Sequence, residues 1–233
     1  MLRKLFIPLL SAAALVASGA GFANESEFSK KERAIISISA FTANGDIPKL
    51  KTSLVNGLEA GLTVNEIKEI QTQLYAYAGF PRSLNGLTAF MQVLEERKAN
   101  GITDEVGKES KPLPTDKTSL EFGTENQTKL IGQEVKGGLF DFAPQADEYL
   151  KAHLFGDIFE RDVLTWRERE ISTIAALASI EGVNSQLKAH YMISQNNGVT
   201  VPELHAFVEI LKSDVSEDIA KNAQTSLDEI LAK

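Results

Sequence analysis

Residues 29–66 and 165–203 align with one another along most of their length, and this repetition constrains the chain more than any other feature. Glu32 pairs with Glu168, Arg33 with Arg169, Ile35 with Ile171, Ile38 with Ile174 and Ala40 with Ala176. After a one-residue gap the correspondence resumes with Gly45 and Gly182, Leu50 and Leu187, and Lys51 and Lys188. It continues with Gly61 and Gly198, Thr63 and Thr200, Val64 and Val201, and Glu66 and Glu203. Identity that falls together on helix starts, breaks and apolar positions marks a duplicated structural unit. Two copies suit a pseudo-twofold helical domain, whereas a solenoid needs at least about three repeats.

In the second copy, Thr165 and Glu168 have the Thr-x-x-Glu spacing of a capping box, which predicts a helix starting near Trp166. Ile171, Ile174, Ala175 and Ala178 then form one apolar stripe at helical spacing, with Glu170 at its edge. Gly182 breaks this helix. A second is predicted over 184–197, with His190 on the same face as Leu187 and Ser194 and with Gly198 as its C-terminal cap. Thr200 and Glu203 repeat the capping box with Pro202 in the first turn, so a third helix follows at once.

The first copy reads the same way: a helix over 29–44, a break at Gly45 and Pro48, a second helix to Gly61, and a third opened by Thr63 and Glu66. The copies differ where chemistry could reside, because Ala34 stands opposite Glu170 and Ser53 opposite His190. Beyond the third helix they diverge. The first continues through Tyr75, Tyr77 and a Gly79-Phe80-Pro81 break into a long helix; the second runs through Ser213 into an acidic, Ala-rich final helix. Between the copies, residues 99–124 carry Gly101, Gly107, Pro112, Pro114 and many charges and predict an exposed linker. Residues 125–135 and 144–155 predict two further helices, the second amphipathic through Ala146, Tyr149, Leu150 and His153.

Composition agrees with an almost wholly helical chain, since helix formers dominate and aromatic residues are only 7%. Acidic residues outnumber basic ones 32 to 24, which argues against a nucleic-acid or membrane-surface partner. Arg3 and Lys4 precede an apolar run from Leu5 to Val16, followed by the small residues Ser18-Gly19-Ala20 and by Gly21-Phe22-Ala23, so residues 1–23 read as a secretory signal peptide. The expected location is periplasmic or secreted, with no membrane attachment after cleavage. No later stretch approaches the roughly 18 apolar residues of a membrane span. There are no cysteines, which excludes disulfides, lipidation at an N-terminal Cys, and every thiol peroxidase or Cys-nucleophile mechanism.

The series Arg-Glu before an apolar helix, Gln-Leu-Lys-x-His at 186–190 and Asn-Asn-Gly-Val-Thr-x-x-Glu at 196–203 resembles the carboxymuconolactone decarboxylase family, related to alkylhydroperoxidase D. YAYAGFPRSLNGL at 75–87 and FGDIF at 155–159 resemble further segments of its tandem-domain members. The resemblance implies an all-α fold, a duplicated alkylhydroperoxidase D-like helical domain. The first repeat would occupy 24–98, the linker 99–124 and the second repeat 125–233. It also implies homo-oligomers and, for the namesake, loss of CO2 from a carboxylated muconolactone without a cofactor. The alkylhydroperoxidase branch places a His four positions after the second Cys of Cys-x-x-Cys. That His matches His190, while the cysteine positions fall on Gln186 and Val183, so peroxidase chemistry does not carry over. The family's helix-start Glu matches Glu170.

His190 and Glu170 are therefore the candidate catalytic residues, with the imidazole as proton shuttle and the carboxylate orienting it. Their separation is a caution. Glu170 lies about twelve residues before Gly182 and His190 about eight after it, an axial offset of roughly 6 Å at about 1.5 Å per residue. A water bridge is as well supported as direct contact. Glu170 could instead favour the helix dipole or pair with Arg167 or Arg169, and His190 could be a hydrogen-bonded core or interface residue. Arg169 and Arg82 are candidate anchors for a substrate carboxylate, and Tyr77 a candidate pocket wall, against the alternatives of ordinary salt bridges and core packing. His153 and His205 have no partners at metal-ligand spacing, and neither a metal nor another cofactor is expected. The reading is a cofactor-free lyase acting on a small carboxylated or lactone substrate, or else a non-catalytic binding or assembly protein that keeps the fold.

Overall fold

The computed structural model describes residues 27–232, so the expected signal peptide lies outside the described residues. The first repeat opens with α1 (Lys30–Asn44), where Ser29 and Glu32 form a reciprocal capping box and Gly45 closes the helix at φ 79°. Helix α2 (Ile47–Glu59) is capped by Asp46, and α3 (Val64–Gln73) by the Thr63–Glu66 box. Helix α4 (Tyr75–Ala99) is interrupted at Gly79, whose φ of 80° and ψ of 156° are open to glycine and strained for any residue with a Cβ. The break predicted at Gly79-Phe80-Pro81 is thus present.

Three helices lie between the two sets of helices that match one another. Helix α5 (Ser119–Ile131) begins about six residues before the predicted start, because Thr118 and Glu121 make a capping box inside the charged stretch. Short α6 (Leu139–Phe142) and α7 (Pro144–Tyr149) follow, and α7 continues as a π-helical segment over Leu150–Ile158. The second repeat then matches the first in order: α8 (Trp166–Ala178), α9 (Asn184–Asn196), α10 (Val201–Ile210), a π-helical turn over Leu211–Val215, and α11 (Glu217–Leu231). Although its sequence has diverged, α11 packs on α8, α9 and α10 as α4 packs on α1, α2 and α3.

The helices confirm the register of the duplication. Ala34 is the fifth residue of α1 and Glu170 the fifth of α8. Ser53 and His190 are each the seventh residue of a 13-residue helix. Helices α1 and α8 pack against each other at the centre, where Ile35, Ile38, Ile171 and Ile174 are fully buried and the Ser39 and Ser172 hydroxyls hydrogen-bond at 2.8 Å. One hydrophobic core spans both repeats. A second, smaller core joins α5 and the π segment to Ile193 of α9.

The segment predicted as a solvated linker is anchored. The amide N–H groups of Val64 and Asn65 donate to Glu105 O and Val106 O, both at 2.9 Å. Those amides are at the first two positions of α3, where a helix leaves its donors unpaired, so the linker completes the cap that Thr63 begins. Arg97 holds Asp104 at 2.8 Å, which ties the segment to the end of α4.

Candidate active site

Glu170 and His190 meet directly. His190 Nδ1 hydrogen-bonds Glu170 Oε2 at 2.8 Å. The offset reckoned from Gly182 was too large because neither helix reaches that glycine. Helix α8 ends eight residues after Glu170 and α9 starts six residues before His190, leaving an offset of two residues, about 3 Å. Glu170 is fully buried and the His190 side chain keeps 13% of its surface. With Nδ1–H donating to the carboxylate, Nε2 carries the free lone pair, and it has no hydrogen-bond partner among the described residues.

Tyr77 completes the arrangement from the other repeat. Its ring stands edge-on to the imidazole, with centroids 5.6 Å apart and planes at 84°. The residue bridges the two hydrophobic cores, its ring half-buried and its hydroxyl enclosed. Burial, and then the Glu170 carboxylate, push the phenol far above its ordinary value. Tyr77 therefore stays protonated and can only donate or accept as a neutral hydroxyl. Its Oη, Glu170 Oε1 and Arg169 Nε are all buried without a protein partner. Native interiors leave few such groups, and those that remain call for an explanation.

The two arginine candidates are placed differently. Arg169 is fully buried, and the carboxylate it holds is the protein's own. Nη2 donates to Glu69 Oε1 and to Arg161 O, both at 2.7 Å, while Nη1 donates to Gln73 Oε1 at 2.9 Å. Burial pulls the guanidinium down from its ordinary range and Glu69 opposes this. Arg169 thus locks α3 to α8 behind the Glu–His pair. Arg82 is exposed on α4 with its guanidinium over Gly45, and no hydrogen bond or ion pair links it to Glu170 or His190. The sequence reading missed Glu69 and Gln73; the available signal was that both lie among the apolar positions Ile67, Ile70 and Leu74, where a polar side chain needs a buried partner.

Tyr75 stacks on Phe80 across the Gly79 break, with centroids 4.2 Å apart, and its other neighbour His153 hydrogen-bonds Asp157 at 2.8 Å. Among the described residues no group of three or more His, Asp or Glu side chains is arranged to hold a metal. Among the described residues, neither Glu170 nor His190 lines any of five open surface clefts. No described helix is long and apolar enough to cross a membrane.

Fold and site together define an all-helical protein made of two copies of one helical unit, with a Glu–His pair in the second copy and none at the matching positions of the first. The chain belongs to the carboxymuconolactone decarboxylase family. The family's model matches residues 8–92 and 144–223, more than half of the sequence, and the two regions mark a tandem-domain member without cysteine. Comparison with curated proteins found no match.

Proposed function

We propose that the chain is an exported, cofactor-free acid/base lyase for a small carboxylated or lactone substrate, with His190 as proton shuttle. The observation that carries this reading is the 2.8 Å bond from His190 Nδ1 to Glu170, which orients the ring and leaves Nε2 without a hydrogen-bond partner among the described residues. When a carboxylated lactone loses CO2, the electron pair of the broken bond is left on carbon and delocalises into the adjoining carbonyl. A protonated Nε2 supplies the proton that quenches it, and the buried carboxylate holds the ring in place for that transfer. Tyr77 contributes a neutral hydroxyl for a substrate oxygen. Export rests on the signal-peptide reading of residues 1–23. Self-association is supported by the exposed Phe80, Leu84 and Met91 on one side of α4.

The test is turnover of muconolactone-type carboxylates by the wild-type chain and by His190→Ala and Glu170→Gln variants whose helical circular dichroism is unchanged. Loss of the proton donor should reduce turnover on the order of 100-fold or more. Equal turnover in His190→Ala overturns the assignment. A second reading, a binding or assembly protein that retains the fold without catalysis, is favoured by the burial of the pair, complete for Glu170 and leaving His190 13% of its side-chain surface. It predicts no turnover of any such substrate by the wild type.

A further inference from the structure

The pseudo-twofold carries the Glu170–His190–Tyr77 group onto a second place in the molecule, and a cleft lies there. Glu170 maps to Ala34 and His190 to Ser53 by helix position. Tyr77 maps to Asp214, since each lies four residues beyond the end of the matching helix, Gln73 of α3 and Ile210 of α10. All three line one open cleft of about 420 Å³. As Tyr77 reaches from the first repeat to the pair of the second, so Asp214 reaches from the second repeat to the first. At this place a methyl and a hydroxymethyl group stand where the second repeat has a carboxylate and an imidazole.

The lining is positive in a chain whose formal net charge is −8. Lys30, Arg33 and Lys49 face a single carboxylate, Asp214. Arg33 already clasps Asp214 through Nε at 2.6 Å and Nη2 at 2.7 Å, so its fork is occupied. Lys30 has no ion pair among the described residues, and Lys49 only an exposed one with Asp46 at 3.4 Å. At the back, Ser53 is 7% exposed and its hydroxyl makes no hydrogen bond to any described residue. A hydroxyl that opens on a cleft and has no protein partner is a donor available to a guest. Phe41 and Ala34 supply an apolar wall.

We propose that this cleft is a non-catalytic binding site for a small organic monocarboxylate, its carboxylate held by Lys30 and Lys49, its apolar body against Phe41 and Ala34, and Ser53 donating to it. The volume is within the range of small-molecule sites, about 300–1,000 Å³. The inference is independent of the acid/base reading of His190, because none of its groups belongs to the Glu–His pair.

The probe is benzoate, titrated into the isotopically labelled chain at low ionic strength and followed by amide chemical shifts. Saturable shifts confined to α1, α2 and residues 211–215 are expected, with benzyl alcohol at least about tenfold weaker because it lacks the charge. Lys30→Gln and Lys49→Gln are exposed changes compatible with folding, and each should weaken benzoate roughly threefold. Ser53→Phe, which fills the cleft, should abolish the shifts, while His190→Ala should leave them unchanged. Three results overturn the proposal: no saturable shifts at α1 and α2, lysine variants that bind benzoate like the wild type, or sulfate at matched ionic strength producing the same shifts at the same concentration.

Discussion

Glu170 and Arg169 are neighbours in sequence, both fully buried, and the structure gives them opposite tasks. Arg169 is spent on Glu69, Gln73 and the Arg161 carbonyl, while Glu170 offers one oxygen to His190 and leaves the other unpaired. Removing Arg169 strands Glu69 in the interior without its main counter-charge, and breaking a buried pair costs about 3–5 kcal/mol. Arg161 also reaches Glu69, at 2.9 Å, and softens the loss. Arg169→Ala should therefore lower the free energy of urea unfolding by roughly 3 kcal/mol, and a loss under about 1 kcal/mol would contradict the role given to it. Tyr77 is the reverse case. Its hydroxyl has no protein partner, so Tyr77→Phe should leave stability within about 0.5 kcal/mol or raise it slightly. If the hydroxyl serves a substrate oxygen, turnover should fall about tenfold in the same variant. The Glu–His pairing was legible in the sequence as two residues on consecutive helices. The closeness of the contact was not, because it depends on where the helices end, and the Ser179–Val183 turn takes up residues that an idealised helix would have kept. The task of Arg169 was hidden for another reason: a charge on an apolar stripe does not say which distant carboxylate will meet it.

Capping chemistry is where sequence and structure agree most closely at the level of elements. Thr63, Thr165 and Thr200 each accept from the backbone N–H three residues on, and the glutamate at that position reaches back to the threonine N–H. The same box at Thr118 went unread because it sits among the charges and prolines that mark a linker. The π-helical segments were not legible either, since a window tuned to a period of 3.6 gives no separate signal for a wider turn. Helix α5 and the π segment approach so closely that side chains are excluded at the crossing. A Cβ on Gly123 would lie 2.0 Å from Lys151 O and 2.8 Å from Gly156 N, both backbone atoms. Gly123→Ala must then push the two elements apart, at a cost of about 1–3 kcal/mol for overpacking. Hydrogen exchange should show faster opening across residues 119–131 and 150–158 in that variant while α1 and α8 keep their protection. Uniform acceleration through the whole chain would mean that the crossing is not a separate unit.

Across the whole molecule the repeats are joined by one core and by ion pairs that cross between them, so heat or urea should unfold the two repeats in one transition. The duplication itself was legible from matched caps and breaks; the crossing of each repeat's tail onto its partner was not, because Tyr77 and Asp214 share no chemistry that an alignment could detect. That crossing makes acid stability a property of the assembled pair. The hydrogen bond from Arg33 holds the Asp214 carboxyl below its ordinary value of 3.8, against a smaller upward effect of burial. A carboxylate depressed in the folded state stabilises the fold at every pH above its unfolded value. That contribution fades as the pH falls through the folded value. Arg33 is half-exposed, so the pair is worth no more than about 1 kcal/mol after solvent screening. Arg167 joins Glu32 of the first repeat at 2.8 Å in a second such link and holds Glu203 of its own repeat at 2.6 Å. For Glu203, burial acts upward and is outweighed by hydrogen bonds from Arg167 and Thr200, leaving it below its ordinary 4.5. Melting temperature should accordingly hold from neutral pH down to about pH 5 and fall below about pH 4. Asp214→Asn should melt lower than wild type at neutral pH, with the gap narrowing as the pH falls below 3.8, since protonation removes from the wild type what the variant already lacks. A gap that stays constant across this range would show that the Arg33 link contributes through shape and not through charge.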